Sequence, residues 1–128
     1  MDKEKTSRKV LCIEDEFFIG ELYARALTNA GYQIKVVVDG VEGLKEAQTN
    51  QYDIILLDLM VPNMTGTEVL KRLRDPDQTP PLKAKILITT NLEQKEETRE
   101  SIERQADGYI IKAEITPRQL VGILDSIR

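Results

Sequence analysis

Residues 53–57 (DIILL) form the most continuous apolar run in the chain, and the run stops at Asp58, ahead of the turn formers Pro62, Asn63 and Gly66. A short run with no polar alternation marks a strand covered on both faces, and such strands belong to parallel sheets flanked by helices. The remaining segments fit that demand. Residues 9–13 (KVLCI) are a second such run, closed by Glu14, Asp15 and Glu16. Residues 32–38 are rich in β-branched side chains, 84–88 lead into Thr89 and Thr90, and 108–111 deliver Lys112. Between them lie segments of helical period. Phe18, Ile19, Leu22, Tyr23, Ala26, Leu27 and Ala30 recur at threes and fours ahead of Gly31, a helix-ending residue. Val41, Leu44 and Ala47 mark a second helix over 40–50, closed by Asn50, and 67–74 a third, halted before Pro76. Residues 93–106 are helical by propensity but strongly polar, with Ile102 and Ala106 as the clear apolar anchors and Thr98 as an assistant. Thr116 and Pro117 supply an N-cap and a first-turn proline for a last helix carrying Leu120, Val121, Leu124 and Ile127.

Strand and helix thus alternate five times with short links, which predicts an α/β sandwich. Right-handed crossovers favour the flavodoxin-like (βα)5 form, a five-stranded parallel sheet in order 2-1-3-4-5 whose switch point lies between strands one and three. A chain of 128 residues with 41% hydrophobic content can bury one core, so a single domain over 1–128 is expected. The net charge of −4 comes from interspersed acids and bases, which argues against direct nucleic-acid binding and against a membrane surface. Residues 1–9 lack an apolar segment and no stretch approaches ~20 apolar residues, so a cytoplasmic location is expected. The lone Cys12 sits in an apolar run and reads as a small buried hydrophobe. The absence of histidine removes Ser-His-Asp triads, Cys-His pairs and His-ligated zinc, and leaves catalysis to carboxylates, Lys, Thr or Tyr.

Ligands of such sheets bind beyond the carboxyl ends of the strands at the switch point, where Glu14, Asp15 and Asp58 converge in this topology. Carboxylates crowded in a cleft either hold protons or recruit a cation. Oxygen donors alone favour magnesium or calcium, and a few carboxylates with waters suit the small octahedral shell of magnesium, with manganese or calcium as substitutes. Asp15 and Asp58 are the expected direct ligands; Glu14 either ligates or holds a metal-bound water. Thr89 and Lys112 come to the same sheet edge and add a hydroxyl donor and an ammonium. A carboxylate nucleophile, a cation, a lysine and a hydroxyl together suit formation of an aspartyl phosphate at Asp58.

Four blocks carry a resemblance: residues 10–16 (VLCIEDE), 53–66 (DIILLDLMVPNMTG), 85–90 (KILITT) and 107–117 (DGYIIKAEITP). In that order they resemble the receiver domain of bacterial two-component response regulators, in its CheY-like single-domain form. The resemblance implies a metal-binding pair in Glu14 and Asp15, the phosphoacceptor in Asp58, and a backbone carbonyl offered to the metal by Met60. It implies a switch hydroxyl in Thr89, a switch aromatic in Tyr109 and a phosphate-binding lysine in Lys112. The phosphoryl donor is then a histidine kinase or a histidine phosphotransfer protein. A downstream protein docks on the face of helix four, strand five and helix five, and the chain is a monomer or weak dimer. The family usually places proline after the lysine, in a cis peptide that aims it, and this chain has Ala113. A cis bond to alanine costs roughly 2.5 to 4 kcal/mol, so Lys112 is held either by that strained bond or by a different loop shape.

Two other functions share these residues. An aspartate-nucleophile, magnesium-dependent phosphohydrolase expects a second aspartate two residues on, where Met60 stands. A phosphorylation-independent adaptor is expected to have lost part of the site, whereas here only the proline is missing. Met60, Thr90 and Asn91 offer no carboxylate or amine to position an attacking water, so slow self-hydrolysis is expected. The signalling switch, not an enzyme, is the leading expectation.

Overall fold

A computed structural model describes residues 8–91 and 96–127. Five strands, β1 (Lys9–Ile13), β2 (Gln33–Val37), β3 (Ile54–Asp58), β4 (Lys85–Thr90) and β5 (Gly108–Ile111), form one sheet in order β2-β1-β3-β4-β5. Every pairing is parallel. The helices are α1 (Phe17–Asn29), α2 (Gly40–Gln48), α3 (Gly66–Arg74), α4 (Glu96–Gln105) and α5 (Pro117–Asp125). This is the flavodoxin-like architecture expected from the alternation of runs and periods.

Each face of the sheet carries its own core. Leu11, Ile13, Ile55, Leu57, Ile86 and Ile88 point to the side of α2, α3 and α4, where Leu44, Val69, Leu70 and Ile102 meet them. Val10, Cys12, Ile54, Leu56 and Leu87 point to the side of α1 and α5, against Tyr23, Leu27, Leu120 and Leu124. Alternate side chains of one strand therefore enter opposite cores, which is why β1 and β3 read as unbroken apolar runs. Burial of each such side chain contributes about 1.5–3 kcal/mol, so the central strands are the most firmly held part of the chain.

The helix ends follow their sequence signals. Gly31 adopts φ 98° after α1 and Asn50 φ 57° after α2, the left-handed geometry that ends a helix. Thr116 and Gln119 form a reciprocal capping box at the start of α5, with Pro117 in the first turn.

Two expectations need correction. The apolar stripe of α1 includes Phe18 and Leu22 by period, yet Phe18 is 78% exposed and Leu22 48%, while Gly20, Tyr23 and Leu27 are buried. The helix carries more apolar residues than one face can cover, and on the inward face Gly20 lies close against Val36. On α4, Thr98 is exposed and leaves Ile102 and Ala106 as the anchors. Residues 93–95 of the expected fourth helix lie outside the described residues.

Candidate functional site

The strand registers place the site. Ile13 pairs with Leu57, Asp58 with Thr89, and Thr90 with Ile111, so the residues just beyond β1 and β5 meet the last residue of β3 at one edge. Glu14 extends the ladder by donating its backbone N–H to the Val37 carbonyl at 2.9 Å, which turns its side chain inward. Glu14, Asp58, Thr89 and Lys112 are all buried, while Asp15 is exposed at the mouth.

Lys112 joins the two buried acids. Its Nζ donates to Asp58 Oδ2 at 2.9 Å and lies 2.5 Å from Glu14 Oε1, the latter at ion-pair distance but without the angles of a hydrogen bond. Asp58 Oδ1 accepts from the Met60 N–H at 2.9 Å, and Glu14 Oε2 accepts from the Glu16 N–H at 3.1 Å at the start of α1. Burial lowers the affinity of Lys112 for its proton, but its ion pair with Glu14 and its hydrogen bond to Asp58 outweigh this and leave its pKa raised. Glu14 is pushed up to about 7, mainly by burial and further by the charge of Asp58, although Lys112 pulls the other way. Charge is favoured on Lys112 and resisted on Glu14. Both follow from the same imbalance, because one ammonium faces two carboxylates and the excess negative charge falls on the deeply buried Glu14.

The oxygens offered by Glu14, Asp15 and Asp58 lie within 4.8 Å of one another. Three convergent carboxylates with an excess of negative charge fit a single hard divalent cation, and Glu14 resisting ionisation is what such a pocket shows without one.

No cis peptide occurs among the described residues, which settles the alternatives that Ala113 left open. A short 3₁₀ turn, Lys112–Glu114, follows β5 directly and sends the Lys112 side chain back over the sheet edge. A different loop shape therefore carries Lys112 to Asp58, with alanine where the resemblance expects proline.

Thr89 sits in register opposite Asp58, and Tyr109 pairs with Ile88, one position further from the edge. The Tyr109 hydroxyl is buried, and its ring packs with the α2–α4 core. The structure thus brings Glu14, Asp15, Asp58, Met60, Thr89 and Lys112 to one edge and places Tyr109 to the side of it, under α4.

Gly66, read from the sequence only as a turn former, also supports the site. A Cβ at Gly66 would lie 2.2 Å from the Asp58 carbonyl oxygen, so the start of α3 can rest against Asp58 only with glycine there. The Gly66 N–H donates to the Leu59 carbonyl at 3.0 Å, and the Thr65 side chain accepts from the Glu68 N–H to cap the helix. Asn63, at φ 69°, turns the intervening loop. The turn formers were visible in the sequence; the close approach, a matter of tertiary packing, was not. Burial pushes the Cys12 thiol up to about 12, which fits a structural residue beneath the site.

The family model described as "Response regulator receiver domain" matches residues 10–125. The transcriptional activator protein IrlR of Burkholderia pseudomallei is 38% identical over 104 residues, 81% of this chain and 43% of that protein. The transcriptional regulatory protein CusR of Escherichia coli is 35% identical over 81% of this chain and 44% of its own length. The chain therefore spans less than half the length of these relatives. Among solved structures, the chemotaxis protein CheY4 of Vibrio cholerae superimposes with a TM-score of 0.79 at 30% identity, covering 95% of this chain and 99% of that one.

Proposed function

We propose, from the premise that this chain belongs to the response regulator receiver domain family of two-component systems, that Asp58 accepts a phosphoryl group and that its occupancy sets the state of a docking surface. The observation that carries this reading is Lys112 reaching Asp58 across the sheet edge, beside the Glu14 and Asp15 carboxylates.

Asp58 is held for attack. Met60 fixes one carboxylate oxygen and Lys112 the other, so the group is oriented before any donor arrives. A donor histidine on a kinase or phosphotransfer protein supplies the phosphoryl group: the P–N bond breaks, a bond from Asp58 oxygen to phosphorus forms, and the leaving imidazole takes up a proton. Glu14, Asp15, Asp58 and the backbone carbonyl of Met60 would hold magnesium, which supplies charge neutralisation on the phosphoryl oxygens. Lys112 neutralises a further oxygen, and the Thr89 hydroxyl donates a hydrogen bond to the group. That engagement of Thr89 shifts Tyr109 and, through it, the face formed by α4, β5 and α5, where a downstream protein docks.

Turnover is slow, since Met60 stands where a phosphohydrolase needs a second acid, and Thr90 and Asn91 offer no base. The chain acts in the cytoplasm as a switch, not as an enzyme. Incubation with acetyl phosphate and magnesium, followed by intact mass, tests the reading. One phosphoryl adduct is expected on the unaltered protein and none on Asp58→Ala; an unmodified parent chain sinks the proposal. Lys112→Ala should form the adduct more slowly and lose its effect on partner binding.

A further inference from the structure

Helix α4 is held differently at its two ends. Its C-terminal turn is fastened to α3 and the sheet: Arg74 Nε donates to the Gln105 carbonyl at 2.7 Å, and Arg74 pairs with Asp107 at 3.1 Å. Asp107 in turn accepts from the Ile86 N–H at 2.8 Å and donates its own N–H to the Ile86 carbonyl at 2.8 Å. Ahead of Ile102 the helix is polar, and there the Arg99 guanidinium carbon lies 4.5 Å from the centre of the Tyr109 ring. Glu103, one turn on, accepts from Arg99 Nε at 2.7 Å and keeps the guanidinium over the ring. Beside the ring opens a cleft of about 300 Å³ lined by Arg99, Glu103, Ala106 and Tyr109 itself, which gives the ring room to move.

We propose that Arg99 is a positioning residue: its guanidinium, stacked on Tyr109, clasps the N-terminal half of α4 to β5, so that movement of the ring frees that half while Arg74 keeps the other end in place. The face of an aromatic ring attracts a cation, and the attraction disappears once the ring turns its edge or leaves. The clasp thereby converts a side-chain movement at Tyr109 into a loosening of one half of one helix. The release step rests on the reading of Asp58 as phosphoacceptor; the clasp itself does not.

Amide hydrogen exchange across residues 99–105 in the unmodified protein tests the clasp. Arg99→Ala should speed exchange there by about two- to fivefold, the strength of a partly exposed cation–π contact. Arg99→Met, which keeps the stem and loses the charge, should match Arg99→Ala, and Arg99→Lys should return most of the protection. Tyr109→Leu should loosen the same amides, and the double variant Arg99→Ala/Tyr109→Leu should be no looser than either alone. Unchanged exchange in Arg99→Ala, full protection in Arg99→Met, or additive losses in the double variant overturns the clasp. Acetyl phosphate and magnesium should then loosen these amides in the parent but add little in Arg99→Ala. Intact mass on the same samples separates the two ideas: an absent adduct defeats the reading of Asp58 and the release step with it, whereas a normal adduct with unaltered exchange defeats the release step alone.

Discussion

Helices α3 and α4 lie on the same face of the sheet and are nearly equal in length, at 9 and 10 residues, yet they are attached in opposite ways. Helix α3 buries Gly66, Val69, Leu70 and Leu73, is capped by Thr65, and begins against the backbone of Asp58. Among the described residues, helix α4 has one fully buried large side chain, Ile102, and its ties include the Arg99 stack and the Arg74 bridge. The first arrangement holds the backbone of Asp58 still, and the second, on the proposed reading, suits a part that changes its population under a small bias.

The sharpest way to break this contrast is to remove one buried side chain from each helix. Leu70→Ala should cost about 2–5 kcal/mol of global stability in urea, because the surrounding core closes only partly over the cavity. Ile102→Ala deletes a side chain of similar size, and its cost should fall at the low end of that range. The loss should show first as faster exchange confined to α4. Equal global losses would mean that α4 is as much a part of the core as α3.

Gly66→Ala should come next. Its Cβ would stand 2.2 Å from the Asp58 carbonyl oxygen, so the helix start must move, at a cost of about 1–3 kcal/mol. Because the displaced backbone belongs to Asp58, adduct formation from acetyl phosphate should slow along with the loss of stability. A substitution at the exposed Glu100 of α4 should stay within about 0.5 kcal/mol and leave adduct formation unaltered.

The two regions also differ in what pH does to them. The pKa of Glu14 rises from 4.5 to about 7 on folding, through burial first and the neighbouring Asp58 second. Between those values the folded chain keeps a proton that the unfolded chain has released, so stability falls as pH rises through this window and levels off above about 7. Urea titrations of the metal-free protein should show that fall, Glu14→Gln should flatten it, and magnesium should offset it by favouring the ionised carboxylate. Exchange in α4, whose acidic Glu100 and Glu103 are exposed, should not follow the same curve.

The contrast also explains what could be read from the sequence. The order of the sheet was legible because β1 and β3 feed both cores and so show unbroken apolar runs, and Asp58, Glu14 and Lys112 were legible because each stands immediately after such a run. The chain's departure at Ala113 was visible too, but two loop shapes remained open until the 3₁₀ turn at Lys112–Glu114 decided between them. What stayed hidden depends on contacts between distant residues. The Gly66 approach, the Arg99 stack and the Arg74–Asp107 pair, 33 residues apart, leave no periodic trace. The exposure of Phe17 and Phe18 was hidden for another reason: a helix with apolar residues on several sides does not announce which side faces in.

Among the contacts that attach the two helices, the smallest loss should come from Arg74, the residue that ties them together. Its guanidinium leaves the last turn of α3, donates to the final carbonyl region of α4 and pairs with Asp107, with side chains 30% and 35% exposed. Pairs so open to water are screened, so Arg74→Ala should cost no more than about 1 kcal/mol in global stability. Its local effect should be larger, because the Gln105 carbonyl loses a charged donor at a helix end, where such carbonyls have no partner within the helix. Exchange in residues 103–107 should therefore quicken in Arg74→Ala whether or not Asp58 is phosphorylated, whereas the Arg99 variants act on the other half of the helix. If Arg74→Ala loosens α4 evenly along its length, the helix moves as one rigid piece, and its two ends do not have the separate roles that their attachments suggest.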